Sequence, residues 1–141
     1  MQLVDANVLL YAVNPDAREH SVARGWVANA LAGSEAIAFP WTVVLAFLRL
    51  STHRAVFPSP LTPAQAMAIT ETWLSARPAV LIEPTKRHVA LLGGILRSSG
   101  TAGNHVNDAH LAALALENGA AIVTFDRDFA RFEGVDVLRP A

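Results

Sequence analysis

Three aspartates, Asp5, Asp108 and Asp126, combine a chemically useful side chain with positions that a fold could bring together. Asp5 closes the short apolar run Gln2 to Val4, and Asp126 follows the run Ala120 to Thr124 after a single residue. In a parallel sheet such strand ends share one edge, where loops and helix N-termini also collect. Asp108 falls in the first turn of a helix leading into the second of those strands, which carries its start to the same edge. Each acid alone has an ordinary explanation: Asp5 as a helix cap, Asp108 as an acid favoured by the helix dipole, Asp126 as a turn former. Together they make a cluster of like charges, and a divalent cation with oxygen ligands is the usual reason to keep one. Asp128 is a fourth candidate ligand, direct or through water, with a helix cap as its alternative. Asn7 would support Asp5 or cap its helix, and Thr124 would donate to a carboxylate or substrate phosphate, or only pack in its strand.

The donor set narrows the chemistry. With no cysteine in the chain, thiolate zinc sites, disulfides and a cysteine nucleophile are excluded, and a reducing compartment, the cytoplasm, is expected. A hard ion, Mg²⁺ or Mn²⁺, suits carboxylate oxygens; it lowers the pKa of bound water and offsets charge on a phosphodiester. His105, Asp108 and His110 form H-x-x-D-x-H, but residues two apart on a helix diverge, so His110 reads as a packing residue. No G-x-S-x-G, Walker A or G-x-G-x-x-G pattern occurs, and the glycines at 100 and 103 lack a phosphate-holding lysine. Arg49 and Arg54, with His53, follow an apolar helix; they suit RNA phosphates or an acidic partner as well as a solvated helix end. Asp16, Glu19, Glu35, Glu71, Glu83, Glu117, Glu133 and Asp136 read as solvated surface.

The elements that must position these residues follow from the patterning. At 141 residues the chain is expected to be one domain, residues 1–141. Charged residues make up 16% against 52% apolar, where about 25% charged is usual, so the chain must fold and leaves apolar surface for a second copy or another protein. Eleven Lys and Arg against twelve Asp and Glu give no basic excess for bulk nucleic-acid binding, so phosphate recognition has to be local. No signal-peptide pattern opens the chain, and the run Ala36 to Leu48 is broken by Pro40, so no membrane span is predicted. Strands are predicted at Gln2 to Val4, Ala36 to Phe39, Ala79 to Ile82, Ala120 to Thr124 and Val135 to Leu138. Helices are predicted at Ala17 to Ala32, Trp41 to Ser51, Pro63 to about Arg77, Thr85 to Ser98 despite Gly93 and Gly94, and Asn107 to Asn118. A flexible loop is expected over Ser98 to His105. Alternating strands and helices of this kind predict an α/β fold with a parallel sheet covered on both faces.

The segments Leu3-Val-Asp5-Ala-Asn7-Val-Leu-Leu, Asn107-Asp-Ala-His-Leu-Ala-Ala113 and Thr124-Phe-Asp-Arg-Asp-Phe129, in this order and spacing, resemble the PIN domain ribonucleases, and within them the VapC toxins of toxin–antitoxin pairs. The resemblance spans the chain. It implies a three-layer α/β/α sandwich around a parallel sheet, a metal-dependent endoribonuclease acting on structured RNA such as tRNA, a homodimer, and inhibition by a small cognate antitoxin. By position it implies Asp5, Asp108 and Asp126 as metal-binding acids, Asp128 as an accessory acid, and Asn7 and Thr124 as supporting polar residues. The family's usual glutamate on the helix after the second strand is missing, and Val44-Leu-Ala-Phe-Leu-Arg49 places Phe47 there, leaving one or two metals open. Two rivals remain at this point. A haloacid dehalogenase-type phosphatase also opens on a strand-terminal Asp, but it needs a general acid where Asn7 stands. A catalytically silent PIN-like module would keep the acidic pocket for structure or for a partner's arginine.

Overall fold

Short β-branched and apolar runs bounded by turn formers become strands, and the longer periodic segments between them become helices. The computed structural model describes residues 1–141. Strands β1 (Gln2–Val4), β2 (Ile37–Pro40), β3 (Ala79–Ile82), β4 (Ala121–Val123) and β5 (Val137–Leu138) form one parallel sheet in the order β3-β2-β1-β4-β5. Leu3 is paired with Ala38 on one side and Ile122 on the other, so β1 is central and its neighbours come from distant parts of the chain. The predicted α/β sandwich with a parallel sheet is therefore the fold observed.

Six helices flank the sheet: α1 (Ala6–Val13), α2 (His20–Ala32), α3 (Trp41–Ser51), α4 (Pro63–Leu74), α5 (His88–Ser99) and α6 (Val106–Asn118). Helix α1 packs on α2 and α3, α3 on α4, and α5 on α6. Pro40 ends β2 and serves as N-cap of α3, where its missing N–H costs nothing. Thr62 and Gln65 close a capping box at the start of α4, with Pro63 at its first position. Gly119, at φ 58°, ends α6 in the left-handed conformation that only glycine adopts without strain. The core is one cluster joining Leu3, Val4, Ile122 and Val123 of the sheet to Val8, Phe47, Leu114 and Phe129 around it.

Several elements differ from expectation: the run Asn7 to Tyr11, expected to carry the strand into a turn, is helical in α1, α4 ends at Leu74 rather than near Arg77, and α5 starts at His88 rather than Thr85. Helix α2 starts at His20, because the segment before it turns, with the N–H of His20 bonded to the Ala17 carbonyl. The loop after α5 contains a 3₁₀ turn, Gly103–His105, that runs directly into α6. No helix is long and apolar enough to cross a membrane.

The Ser51 hydroxyl at the end of α3 is fully buried without a hydrogen-bond partner. An unmade buried hydrogen bond costs about 1–3 kcal/mol. Ser51→Ala is accordingly expected to raise the urea midpoint, by about 1 kcal/mol of stability, with an unchanged m-value.

Candidate active site

The carboxyl edge of the sheet is tied together by hydrogen bonds between its first and fourth strands. The backbone N–H of Asp5 donates to the Val123 carbonyl at 3.0 Å, joining the ends of β1 and β4. Beyond that joint the chain turns into α1, and the Asp5 Oδ1 caps the new helix by accepting from the Ala6 N–H at 2.7 Å. Oδ2 accepts from Thr124 Oγ1 at 2.7 Å and from Asn7 Nδ2 at 2.9 Å. The Thr124 hydroxyl, 2% exposed, also accepts from Asn7 Nδ2 at 3.0 Å and from the Asp126 N–H at 3.0 Å, so all its capacity is used. Asn7 Oδ1 accepts from the Phe125 N–H at 3.2 Å. Thr124 and Asn7 thus fix Asp5 and the turn that carries Asp126. The Asp5 side chain thus serves as the helix cap expected of it while lining the pocket.

Asp108, in the first turn of α6, completes the acidic edge. It lines a recess of about 100 Å³ with Asp5, Ala6, Thr42, Val43, Ala46, Asn107 and Leu111. Burial pushes the Asp5 carboxyl up from 3.8 to about 6; Thr124 and the Ala6 N–H oppose this, while Asp108 and Asp126 add to it. Asp108 is raised chiefly by burial and also by Asp126, against the opposing effects of His105 and Arg131. Asp5 and Asp108 therefore share one pocket, and Asp126, outside its lining, lies close enough to raise both. As they stand, no three acidic or histidine side chains close tightly on one point. The cation whose chemistry suits carboxylate oxygens is a hard divalent ion that keeps several of its own waters. The donor set also fits: all oxygen, with no Lys or Arg ion-paired to Asp5, Asp108 or Asp126.

The remaining sequence candidates separate. Asp128 lies one turn further out: its N–H donates to Asp126 Oδ1 at 2.8 Å, while its own carboxylate, 56% exposed, pairs with Arg131 at 3.3 Å. Arg49 is exposed and lines a shallow recess with Thr42 and Asn107, beside the acids. Arg54 is exposed in the turn after α3 and lines none of these recesses. Phe47 does not face the pocket. It is buried with its ring 4.9 Å from Trp73 of α4, and Thr42, Val43 and Ala46 are what α3 offers to the acids. Helix α3 thus supplies no carboxylate, and no aromatic wall replaces one.

Two features escaped the sequence reading. Arg131 lies close enough to ease the charge of Asp108, a proximity that only the fold of the last turns creates. Glu117, expected on a solvated face, has a side chain only 3% exposed. It accepts from Thr85 through both the hydroxyl and the N–H, and from His88 Nδ1 at 2.9 Å. His88 Nε2 in turn bonds His110 Nδ1 at 2.8 Å. Burial alone would raise the Glu117 pKa, but hydrogen bonds from Thr85 and His88 outweigh it and hold the group below its ordinary value.

The comparisons with known proteins agree with this geometry. The PIN domain profile matches residues 3–135. The chain belongs to the PIN domain family. Within that family, Ribonuclease VapC37 of Mycobacterium tuberculosis is 50% identical over 135 residues, 96% of this chain and 94% of its own length. Ribonuclease VapC31 of the same species is 40% identical over 141 residues, covering 99% of both chains. The chain is thus a PIN domain protein of the VapC group, which removes the haloacid dehalogenase-type alternative; Asn7, spent as an amide on both sides, also cannot supply that chemistry's acid. Among solved structures, VapBC2 of Rickettsia felis superposes with a TM-score of 0.72 at 18% identity, covering 99% of this chain and 98% of that one. VapC20 of M. tuberculosis, a sarcin-ricin loop cleaving toxin, gives 0.72 at 19%, covering 99% and 100%. At such identities these two matches speak to the PIN fold alone.

The raised Asp5 gives a measurable pH dependence. Asp5 binds its proton more tightly folded than unfolded, so its effect on stability is most favourable below its ordinary pKa and fades as pH rises through about 6. The stability difference between wild type and Asp5→Asn is expected to move by roughly 2–3 kcal/mol against the wild type from pH 4 to pH 7.5 without divalent ions. Millimolar Mn²⁺ or Mg²⁺ is expected to raise the wild-type melting temperature at pH 7.5 and to do little at pH 5. A thermal shift independent of pH would contradict the assignment.

Proposed function

We propose that residues 1–141 act as a single metal-dependent endoribonuclease, the toxin of a type II toxin–antitoxin pair, cutting tRNA or another structured RNA in the cytoplasm. The observation that carries this reading is the pocket that Asp5 and Asp108 share at the carboxyl edge of the sheet, with Asp126 close enough to raise both carboxyls. The names of the related ribonucleases support the same activity. Mg²⁺ or Mn²⁺, held by Asp5, Asp108 and Asp126 with Asp128 as an outer acid, would supply an acidified water and offset negative charge on a phosphodiester.

The chain's own residues provide the rest. Thr124 and Asn7 hold the Asp5 carboxyl in one orientation before substrate arrives. Arg49, exposed beside the pocket, offers a guanidinium to an RNA phosphate, with Arg54 a turn further on. Arg131 balances charge next to Asp108. Hydrolysis in this frame breaks the bond to the 3′ oxygen and leaves 5′-phosphate and 3′-hydroxyl ends.

A cognate small antitoxin is the proposed inhibitor, supported by the toxin–antitoxin complexes among structures of this fold. A homodimer is supported by apolar side chains left in solvent, Leu45 on α3 and Val80 and Leu81 on edge strand β3. Purified protein is expected to cut a folded RNA in Mg²⁺ or Mn²⁺ and to stop when a chelator is added. Undiminished cutting in excess chelator would refute the metal-dependent mechanism. If the protein binds no divalent ion at millimolar concentration and cuts no RNA, the absence of an acid on α3 points instead to a catalytically silent binding module.

A further inference from the structure

Next to the acidic pocket lies a second cleft that the nuclease chemistry does not use. It has about 220 Å³ of space, and its walls include Trp41, Ile82, Glu83, Pro84, His110 and Leu114. Thr42 lines both cavities, so the two adjoin at the same carboxyl edge of the sheet, beyond the ends of β2 and β3. The space equals roughly seven waters, room for one flat heterocycle and little more.

Three walls carry recognisable chemistry. Trp41 is 44% exposed at the first turn of α3 and offers an aromatic face where a folded chain would ordinarily hide one. Glu83 is exposed and takes part in none of the chain's ion pairs, so its two carboxylate oxygens are free to accept. His110 is held rigidly: its Nδ1 is spent on His88, and His88 is itself anchored by the buried Glu117. Only the Nε2 of His110 is left for a ligand.

We propose that this cleft holds an unstacked guanine of the RNA substrate, next to the phosphodiester that is cut. The inference rests on the nuclease reading above. Proteins read single-stranded RNA by stacking splayed bases on aromatic rings and hydrogen-bonding their edges. A carboxylate accepts two parallel N–H groups, and guanine presents such a pair, N1–H beside N2–H, whereas adenine and cytosine pair one N–H with an acceptor that a carboxylate repels. The hydroxyl of Thr42 is a donor available for the guanine O6. Glu83 therefore selects the base, Trp41 carries its face, and His110 is the fixed wall.

Two measurements test this. In the Asp5→Asn protein without divalent ions, GMP is expected to shift the Trp41 indole N–H resonance, identified by its loss in Trp41→Phe, at several-fold lower concentration than AMP, CMP or UMP. Glu83→Gln should erase that preference. An unmoved Trp41 signal, or equal response to all four nucleotides, overturns the proposal. Mapping the ends of RNA cut by the wild-type protein should show guanine enriched at a fixed offset from the cut, falling by at least about fivefold in Glu83→Gln or Trp41→Ala while cutting continues. Cutting with no such enrichment, or with enrichment that both variants retain, overturns the guanine site and leaves the nuclease standing. If the wild type cuts nothing, the nuclease reading falls, and the nucleotide titration still decides what the cleft binds.

Discussion

Replacing Asp5 by Asn is expected to lower the rate of RNA cleavage by about 10²- to 10³-fold or more, with the far-ultraviolet circular dichroism spectrum unchanged. Asn keeps the volume of Asp and one oxygen, so the cap on the Ala6 N–H survives. What it loses is the charge, and it places an amide N–H₂ toward the Asn7 amide and the Thr124 hydroxyl, where Asp5 Oδ2 accepted from both. The pocket then has one fewer anion to hold a cation. Single-turnover cleavage in saturating Mg²⁺ measures the loss. A variant that cuts within tenfold of wild type would remove Asp5 from the catalytic machinery and with it the proposed mechanism.

His88→Ala is expected to destabilise the protein by about 1–3 kcal/mol, the usual cost of leaving hydrogen-bonding partners unsatisfied. Glu117 would then keep only Thr85 in a site it cannot leave, and His110 would lose the partner of its Nδ1. Urea unfolding at pH 7 measures the loss, and the pair His88→Ala with Glu117→Gln should recover part of it, because a neutral amide is less costly to bury unpaired. Acid reveals the same bond in the wild type. Glu117 binds its proton less tightly folded than unfolded, so the stability it gives is complete above the ordinary carboxylate range and is lost as pH falls through its depressed pKa. A fully additive double variant would show that the pair has no coupling.

The sheet was legible in the sequence because its strands are short apolar runs cut cleanly by turns, and because Pro40 and Pro63 mark where helices begin. The acids were legible because strand termini predict a shared edge whatever the loops do between them. Gly93 and Gly94 weakened the prediction for α5, yet the helix runs through both, since packing against α6 outweighs their poor propensity. What could not be read is helix phase and burial. Phe47 sits one residue from Ala46, and that single step separates a side chain packed on Trp73 from one facing the acids. Glu117 follows an apolar helix like any surface acid, and only the meeting of α5 with α6 shows that Thr85 and His88 cover it. His110 hides for the same reason, its partner lying 22 residues upstream.

The joint between β1 and β4 has a consequence for the timing of activity. The bond from Thr124 to Asp5 spans 119 residues, so the innermost strand of the sheet is made first and acquires its catalytic neighbour last. The cap on the Ala6 N–H needs only neighbouring residues, whereas the bond from Thr124 needs β4 in place. The acidic edge is therefore complete only once residues 121 to 126 have joined the sheet beside β1.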